Sequence, residues 1–416
     1  MPRGLILDLV HTPEVQRLRR IRQLGVGYLT FPGAEHTRFG HALGAMALMH
    51  DTLLHLRETG TPISDEEFEA ALAAALLHDI GHAPFSHTLE QVLIQGFSHE
   101  QMSRLLMQKL NHRLGGALNL TLAIFDNTYH RPFLHQLVSS QLDMDRLDYL
   151  RRDSFYTGVS EGKVGVARII KTLLVHPQEG GPDARLVVQE KGIYAVENFL
   201  IARRLMYWQV YLHKTVLAGD HVLRSIFERA RTLLQHNQQI CPPETTASEA
   251  LCFFLKSHWS YRDIEQPELQ AHFLHLDDSD ILFSLKQWMY SNDPVLSDLS
   301  KRFIHRNLFR VHFLDASPSE TQLEDWKHQI RKWLIAQNLA SSPQEAEALI
   351  PYYFCTDHSY LSTYHPVEEP IYILDRHGDI RELTQMVDAQ AISALTRMVT
   401  KPYICYPKEV SLAILP

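Results

Sequence analysis

Leu76-Leu77-His78-Asp79-Ile80-Gly81-His82-Ala83-Pro84-Phe85-Ser86-His87 is the stretch on which the reading of this chain turns. Upstream of it, Ser64-Asp65-Glu66-Glu67 has the form of a capping box, with Ser64 as N-cap and Glu67 reaching back. Phe68, Leu72, Ala75 and Leu76 follow at helical spacing, so a helix with a buried stripe runs into His78-Asp79. Gly81 is expected to end that helix, and Pro84 to sit in the first turn of the next. His78 and Asp79 then lie at a helix C-terminus on a rigid platform. Neighbouring helical residues diverge by about 100°, so the two can share a metal only near such an end. The plain alternative is a helix that stops with satisfied polar caps. His82, His87 and Glu90 in the following turns weigh against it.

Working outward, Gln141-Leu142-Asp143-Met144-Asp145-Arg146-Leu147-Asp148-Tyr149-Leu150-Arg151-Arg152-Asp153 reads as a second long helix. Its charges have the pattern of a solvated, salt-bridged face, and that reading is kept for Asp148 and Arg151. Gly33-Ala34-Glu35-His36-Thr37-Arg38-Phe39-Gly40-His41 joins a loop to an apolar helix. Arg38, three residues before His41, would set a cation on the metal side, where a phosphate needs one. The alternative there is a turn, a capped helix and a surface histidine.

A third helix, roughly Gly192 to Ala218, is aromatic-rich and carries Arg203, Tyr207, Tyr211, His213 and Lys214. Before it, Arg185-Leu186-Val187-Val188-Gln189 looks like a short strand. Composition turns polar, with two prolines, from His236 to Thr246, a plausible boundary. Helical segments follow to about Leu349. Ile371 to Leu374 and Ile380 then flank a turn around Gly378 as a hairpin, with a helix expected near Ala389 to Val399. The expected fold is mainly α with a small α+β C-terminal portion, divided at 1–235, 236–350 and 351–416.

Composition narrows the function classes. The 416 residues are 45% apolar, as in globular proteins, and the net charge of -8 argues against a general nucleic-acid binder. Arg17-Leu18-Arg19-Arg20-Ile21-Arg22 leaves a basic cluster for a phosphorylated small molecule. Cys241, Cys252, Cys355 and Cys405 include no Cys-x-x-Cys pair, so a reducing cytoplasm is the default. Ala70 to Leu77, the longest alanine/leucine-rich run, is far too short to span a bilayer, and no signal peptide is read. Most of the 25 histidines read as surface composition; those clustered with carboxylates carry more weight.

His41, His78-Asp79 and Asp145 together resemble the H…HD…D signature of the HD-domain phosphohydrolases. Gln16 to Gly25, Phe31-Pro32-Gly33-Ala34, His36-Thr37-Arg38-Phe39 and Asp143-Met144-Asp145-Arg146-Leu147-Asp148-Tyr149 are similar to the deoxynucleoside triphosphate triphosphohydrolase (dNTPase) branch. That branch includes the SAM- and HD-domain dNTPase of animals and its bacterial relatives. The likeness is strong to about residue 220 and continues more weakly into the C-terminal tail.

The resemblance implies an HD-domain helical fold and an enzyme. His41, His78, Asp79 and Asp145 would hold one divalent metal (iron, manganese, nickel, zinc or magnesium), with room for a second magnesium beside the substrate phosphates. His82, His87, Glu90 and His99 would surround the α-phosphate, with His87 as the acid and His82 on the phosphate. Arg38, Arg146, Tyr149 and Arg203 match phosphate-holding positions. Gln23, Leu24, Asp153 and Tyr211 match positions that line the deoxyribose. Metal-activated water would attack the α-phosphorus of a dNTP, releasing deoxynucleoside and triphosphate. The partners implied are a nucleotide substrate and further copies of the chain, as a dimer or tetramer; single-stranded nucleic acid, a theme in similar proteins, is given low weight by the acidic balance, and no membrane partner is expected.

Two departures shape the regulatory expectation. Relatives begin with a strand bearing an Asn-Asp-Pro-Val-like segment, whereas this chain starts at Met1-Pro2-Arg3-Gly4, and no SAM domain is read before the HD region. His11 stands where an aspartate reads the guanine of an activator, so GTP-type activation is not expected even though Arg19 and Lys214 fit that surface. The rival functions are an HD phosphohydrolase or phosphodiesterase for another nucleotide, and a nucleotide-sensing or scaffold protein without turnover.

Overall fold

The structure, a computed structural model, describes residues 4–236, 247–361, 363–386 and 395–414. Seven helices carry the site and its surroundings: α1 (Arg38–Glu58), α2 (Asp65–Leu77), α3 (His87–Leu93), α4 (His99–Arg113), α5 (Met144–Thr157), α6 (Ile193–Met206) and α7 (Lys214–Gln235). The strands are short, and the chain is mainly α with a small α+β portion, as its periodicity predicts.

The capping box forms. Ser64 Oγ accepts from the Glu67 amide at 3.1 Å and Glu67 Oε2 accepts from the Ser64 amide at 2.8 Å, which satisfies amides that a helix start leaves unpaired. Burial is broader than the predicted stripe: every residue from Ala70 to Leu77 is buried. α2 packs against α1, and α1 also packs against α5. Small alanine side chains allow that encirclement.

The downstream punctuation differs from expectation. α2 stops at Leu77 with His78 as its C-cap, and α3 starts only at His87, so Pro84 lies in the preceding turn. Gly81 serves close approach: a Cβ there would lie 2.2 Å from the His99 carbonyl oxygen and 2.3 Å from the Ser103 nitrogen. That contact draws the start of α4 against the His-rich turn. α5 begins at Met144 with Asp143 as its N-cap, leaving Leu142 outside.

The expected single helix from Gly192 to Ala218 is two. α6 ends at Met206, a π-helical turn spans Tyr207–Tyr211, and His213 caps α7 by accepting from the Thr215 amide at 3.1 Å. Such turns concentrate where a helix must re-aim side chains, and here Tyr207, Val210 and Tyr211 face a cavity.

Besides a two-stranded pairing of Ile94–Gln95 with Trp259–Ser260, two larger sheets complete the architecture. One joins β1 (Leu173–His176), β2 (Arg185–Gln189), β5 (Tyr372–Leu374) and β6 (Ile380–Glu382) in that order, with β2 and β5 parallel. The C-terminal hairpin thus adds to the strand at 185–189, and Gly378 turns it at φ 89°. The other sheet has the order β3 (Arg310–Phe313), β7 (Val399–Tyr406), β4 (Cys355–Leu361), all antiparallel. Of the expected helix near Ala389 to Val399, residues 389–394 lie outside the described residues, while 395–398 are non-helical and Val399 opens β7. Cys241 and most of the His236 to Thr246 boundary also lie outside the described residues.

Candidate functional site

Four side chains from three helices converge. His41 lies in the first turn of α1, His78 and Asp79 directly follow α2, and Asp145 lies in the first turn of α5. His41 Nε2 is 2.9 Å from Asp145 Oδ1, 3.3 Å from His78 Nε2 and 3.7 Å from Asp79 Oδ2. His78 Nε2 is 3.4 Å from Asp79 Oδ1 and 3.5 Å from Asp145 Oδ1.

The outer ring nitrogens are tied down. His78 Nδ1 donates to the Ala75 carbonyl at 2.8 Å, so its Nε2 turns a lone pair inward. His41 Nδ1 meets Asp148 Oδ2 at 2.8 Å, the outer-shell partnership that fixes a ligand histidine's tautomer. The centre therefore calls for positive charge. Burial lowers the His41 pKa, but bonds to Asp145 and Asp148 reverse this and lift it to about 10. Burial likewise raises Asp145, and the bonds from His41 and His78 hold it below the usual carboxylate range. A proton or a metal can satisfy this set. The donor atoms of His41, His78 and Asp79 lie within 4.8 Å of one another, and two imidazoles with two carboxylates suit a divalent cation.

Arg38 closes one side. Its Nη1 is 2.5 Å from Asp79 Oδ2, and Nε and Nη2 donate to Ser86 Oγ at 3.0 and 2.9 Å. Burial would raise Asp79; Arg38, ahead of His78 and His82, holds it well below its ordinary value. Phe85 and Ser86 have φ of 54° and 53°, a left-handed pair that non-glycine residues seldom adopt and that clusters at functional sites. The Phe85 amide is pinned by Asp278 Oδ1 at 2.9 Å.

The remaining histidines share one carboxylate. Glu90 Oε2 and Oε1 each lie 3.0 Å from an Nδ1, of His87 and His99 respectively. Burial raises Glu90, and the bonds from His87 and His99 bring it down to about 2. The His82 ring meets the His99 ring edge-on at 3.8 Å. Burial, then Arg38, pushes His82 well below the ordinary histidine value, so it is neutral near pH 7. His87, whose side chain is 69% exposed, is the accessible member.

A cavity of about 390 Å³ opens beside these groups. Of the expected site residues, Gln23, Leu24, Arg38, Asp79, His82, His87, His99, Asp145, Tyr149, Asp153 and Tyr211 line it. His41, His78 and Glu90 stand behind that lining. Arg146 and Arg203 are absent from it: both donate to Gln141 Oε1, at 3.3 and 2.9 Å, and Arg203 also reaches the Thr363 carbonyl at 3.3 Å. Asp153 bridges two groups, accepting from the Tyr211 hydroxyl at 2.7 Å while its other oxygen meets His36 Nε2 at 2.7 Å.

Several participants escaped the sequence reading. Asp148 is fully buried, not solvated: besides His41 it accepts from Arg152 Nε and Nη2 at 2.8 and 2.9 Å. Arg151 is half exposed, 3.8 Å from Asp148. Ser86, Thr88, Tyr207 and Asp220 also line the cavity, with Thr88 Oγ1 donating to Asp220 at 2.5 Å. Histidine density around residue 86 flagged that loop, but nothing local marks Asp220. Three of the four arginines of the basic cluster are already engaged, and exposed Arg19 hydrogen-bonds only to Gln16 among the described residues. Arg17 is buried on the carbonyls of Leu276 and His82, Arg20 pairs with Asp277, and Arg22 pairs with Glu35 and Asp278.

Comparison with known proteins agrees with this geometry. Residues 38–153 match the HD domain, enclosing His41, His78, Asp79 and Asp145, and residues 164–249 match the HD associated region. An uncharacterised Bacillus subtilis protein, YwfO, is 35% identical over 98% of this chain and 89% of its own length. The human deoxynucleoside triphosphate triphosphohydrolase SAMHD1 is 26% identical over 74% of this chain and 52% of its own length. The crystal structure of a phosphohydrolase from Bacteroides thetaiotaomicron superposes with a TM-score of 0.89, at 45% identity, over 98% of this chain and 96% of that one. No helix among the described residues is long and apolar enough to cross a membrane. The converged histidines and aspartates, the whole-chain relatives and the shared fold place this chain in the HD-domain phosphohydrolase superfamily.

Proposed function

We propose that this protein hydrolyses deoxynucleoside triphosphates to deoxynucleoside and triphosphate. The observation that carries the reading is the donor set of His41, His78, Asp79 and Asp145 set against a cavity that also holds a Glu90-linked histidine pair. A divalent cation bound by that set supplies Lewis acidity toward a phosphoryl oxygen and a water acidic enough to react near neutral pH. His41 and His78 face the centre through Nε2 because Asp148 and the Ala75 carbonyl occupy their Nδ1 atoms. Arg38, buried against Asp79, stabilises negative charge growing on the phosphoryl oxygens.

Water forms the new bond to the α-phosphorus, and the bond from phosphorus to the nucleoside 5′-oxygen breaks. That oxygen is a poor leaving group and takes a proton from His87 Nε2, whose Nδ1 is held by Glu90. Neutral His82 donates one hydrogen bond to a phosphate oxygen. Tyr211, fixed by Asp153, crowds the 2′ position of the sugar. Assembly into a homo-oligomer belongs to the same reading.

One observation favours the alternative of a smaller phosphorylated nucleotide. Arg38 is the one arginine in the cavity lining among the described residues, while Arg146 and Arg203 are engaged by Gln141. A triphosphate reading requires them to release it. Turnover in heavy-oxygen water tests the chemistry: label in the triphosphate product agrees with attack at the α-phosphorus, and label in the nucleoside hydroxyl overturns it. Release of inorganic phosphate from a nucleoside monophosphate, with triphosphates untouched, would establish the alternative.

A further inference from the structure

Away from the HD site, three soft-metal donors meet where the C-terminal sheet packs on α7. Cys355 and Cys405 are directly opposite in the antiparallel pair of β4 and β7, so their side chains leave the same face of the sheet. His221 on α7 brings a ring nitrogen to them, and the three donor atoms lie within 4.8 Å of one another. In a tetrahedral zinc site, neighbouring sulfur and nitrogen ligands sit roughly 3.5–3.8 Å apart, so small side-chain movements close this set around an ion.

One feature points to a ligand rather than to packing, and the sulfurs beside it fit that ligand. His221 is 9% exposed and its Nε2 has no hydrogen-bond partner among the described residues, which is costly for a buried ring nitrogen. Both sulfurs are free thiols, set at facing positions on one face of the sheet. A thiolate is the form that binds metal. A cysteine buried as a small apolar group is the bland account of Cys405, which is fully covered. That account leaves the His221 nitrogen unexplained.

We propose that Cys355, Cys405 and His221 form a second metal site, of the thiolate–imidazole type that takes zinc, fastening the C-terminal sheet to α7. Two thiolates balance one divalent charge, and half-buried Cys355 leaves a fourth position open to water. Arg224 directs its Nε to the Asp220 carbonyl at 3.4 Å, toward its own helix. Asp220, next to His221, is the residue that accepts from Thr88 at the cavity, so the clamp also steadies one wall of the substrate site.

Cobalt(II) added to the reduced, metal-stripped full chain tests this directly. The expected result is thiolate-to-cobalt charge-transfer absorption that saturates by two equivalents per chain in the wild type, where the HD centre also takes cobalt, and at one in His78→Ala, and that is displaced by zinc. It should persist in His78→Ala and vanish in Cys405→Ser and Cys355→Ser. Zinc should also protect the two thiols from alkylation in the folded wild type, a readout that needs no variant to fold. Absence of the absorption in the reduced wild type overturns the proposal, as does its survival in the Cys355→Ser, Cys405→Ser double variant. A Cys355–Cys405 disulfide that persists in protein prepared under reductant overturns it too.

Discussion

Asp148 offers the sharpest test of how the site is built. Its carboxylate is fully buried and holds His41 Nδ1 at 2.8 Å, with Arg152 Nε and Nη2 at 2.8 and 2.9 Å. Asp148→Asn preserves shape but removes the charge and replaces one acceptor oxygen by an NH2 donor. That donor must face either His41 or Arg152, and neither N–H can accept it. Facing His41, it forces the ring to place its proton on Nε2, the atom turned toward Asp145 and His78. Loss of an outer-shell partner weakens metal binding about 10- to 100-fold, which is about 1.4–2.8 kcal/mol. Competition titration with a chromogenic chelator measures this, with circular dichroism as the control for folding. Arg151→Ala is the matched control: it is half exposed and lies 3.8 Å from the same carboxylate, so affinity should change by less than about 0.5 kcal/mol. An Asp148→Asn protein that binds metal within twofold of wild type would refute the reasoning.

Three further outcomes follow from the geometry. His87→Ala should retain metal and substrate binding while turnover falls about 100-fold or more; weakened substrate binding with unchanged chemistry would make His87 a phosphate ligand instead. Bonds from His87 and His99 hold the Glu90 pKa at about 2 in the folded state against its burial, below its ordinary value of 4.5, so its contribution is present above pH 4.5 and is lost as pH falls toward 2. Between about pH 5 and 3 the wild type should therefore lose about 2 kcal/mol more stability than Glu90→Gln, read from urea midpoints; parallel curves would discard the Glu90 network. Gly81→Ala places a methyl 2.2 Å from the His99 carbonyl oxygen, and should cost at least about 1–3 kcal/mol in thermal unfolding. An unchanged melting temperature there would remove the close-approach role.

What could be read from sequence was what local chemistry encodes. The capping box, the apolar helix behind it and the strand at 185–189 are each specified within a few residues, and they form as expected. Asp148 was misread because charges three and four residues apart describe a solvated helix face unless another helix covers them, and that cover is α1. The basic run at 17–22 looked available because its acidic partners, Asp277 and Asp278, lie on a helix far along the chain. The break between α6 and α7 carries no glycine or proline, so only the fold shows that Tyr207 to Tyr211 turn into the cavity. Asp220 and Thr88 likewise become neighbours only when α7 packs on α3.

The central claim is turnover at the metal-binding centre, and product chromatography addresses it most directly. Wild type and His78→Ala would each be incubated with the four dNTPs and the matching NTPs, in manganese or magnesium, with and without a second nucleotide. The account predicts deoxynucleoside and intact triphosphate from the wild type and neither product from His78→Ala. Equal turnover by His78→Ala, or no turnover of any triphosphate by wild type with metal bound, would contradict it.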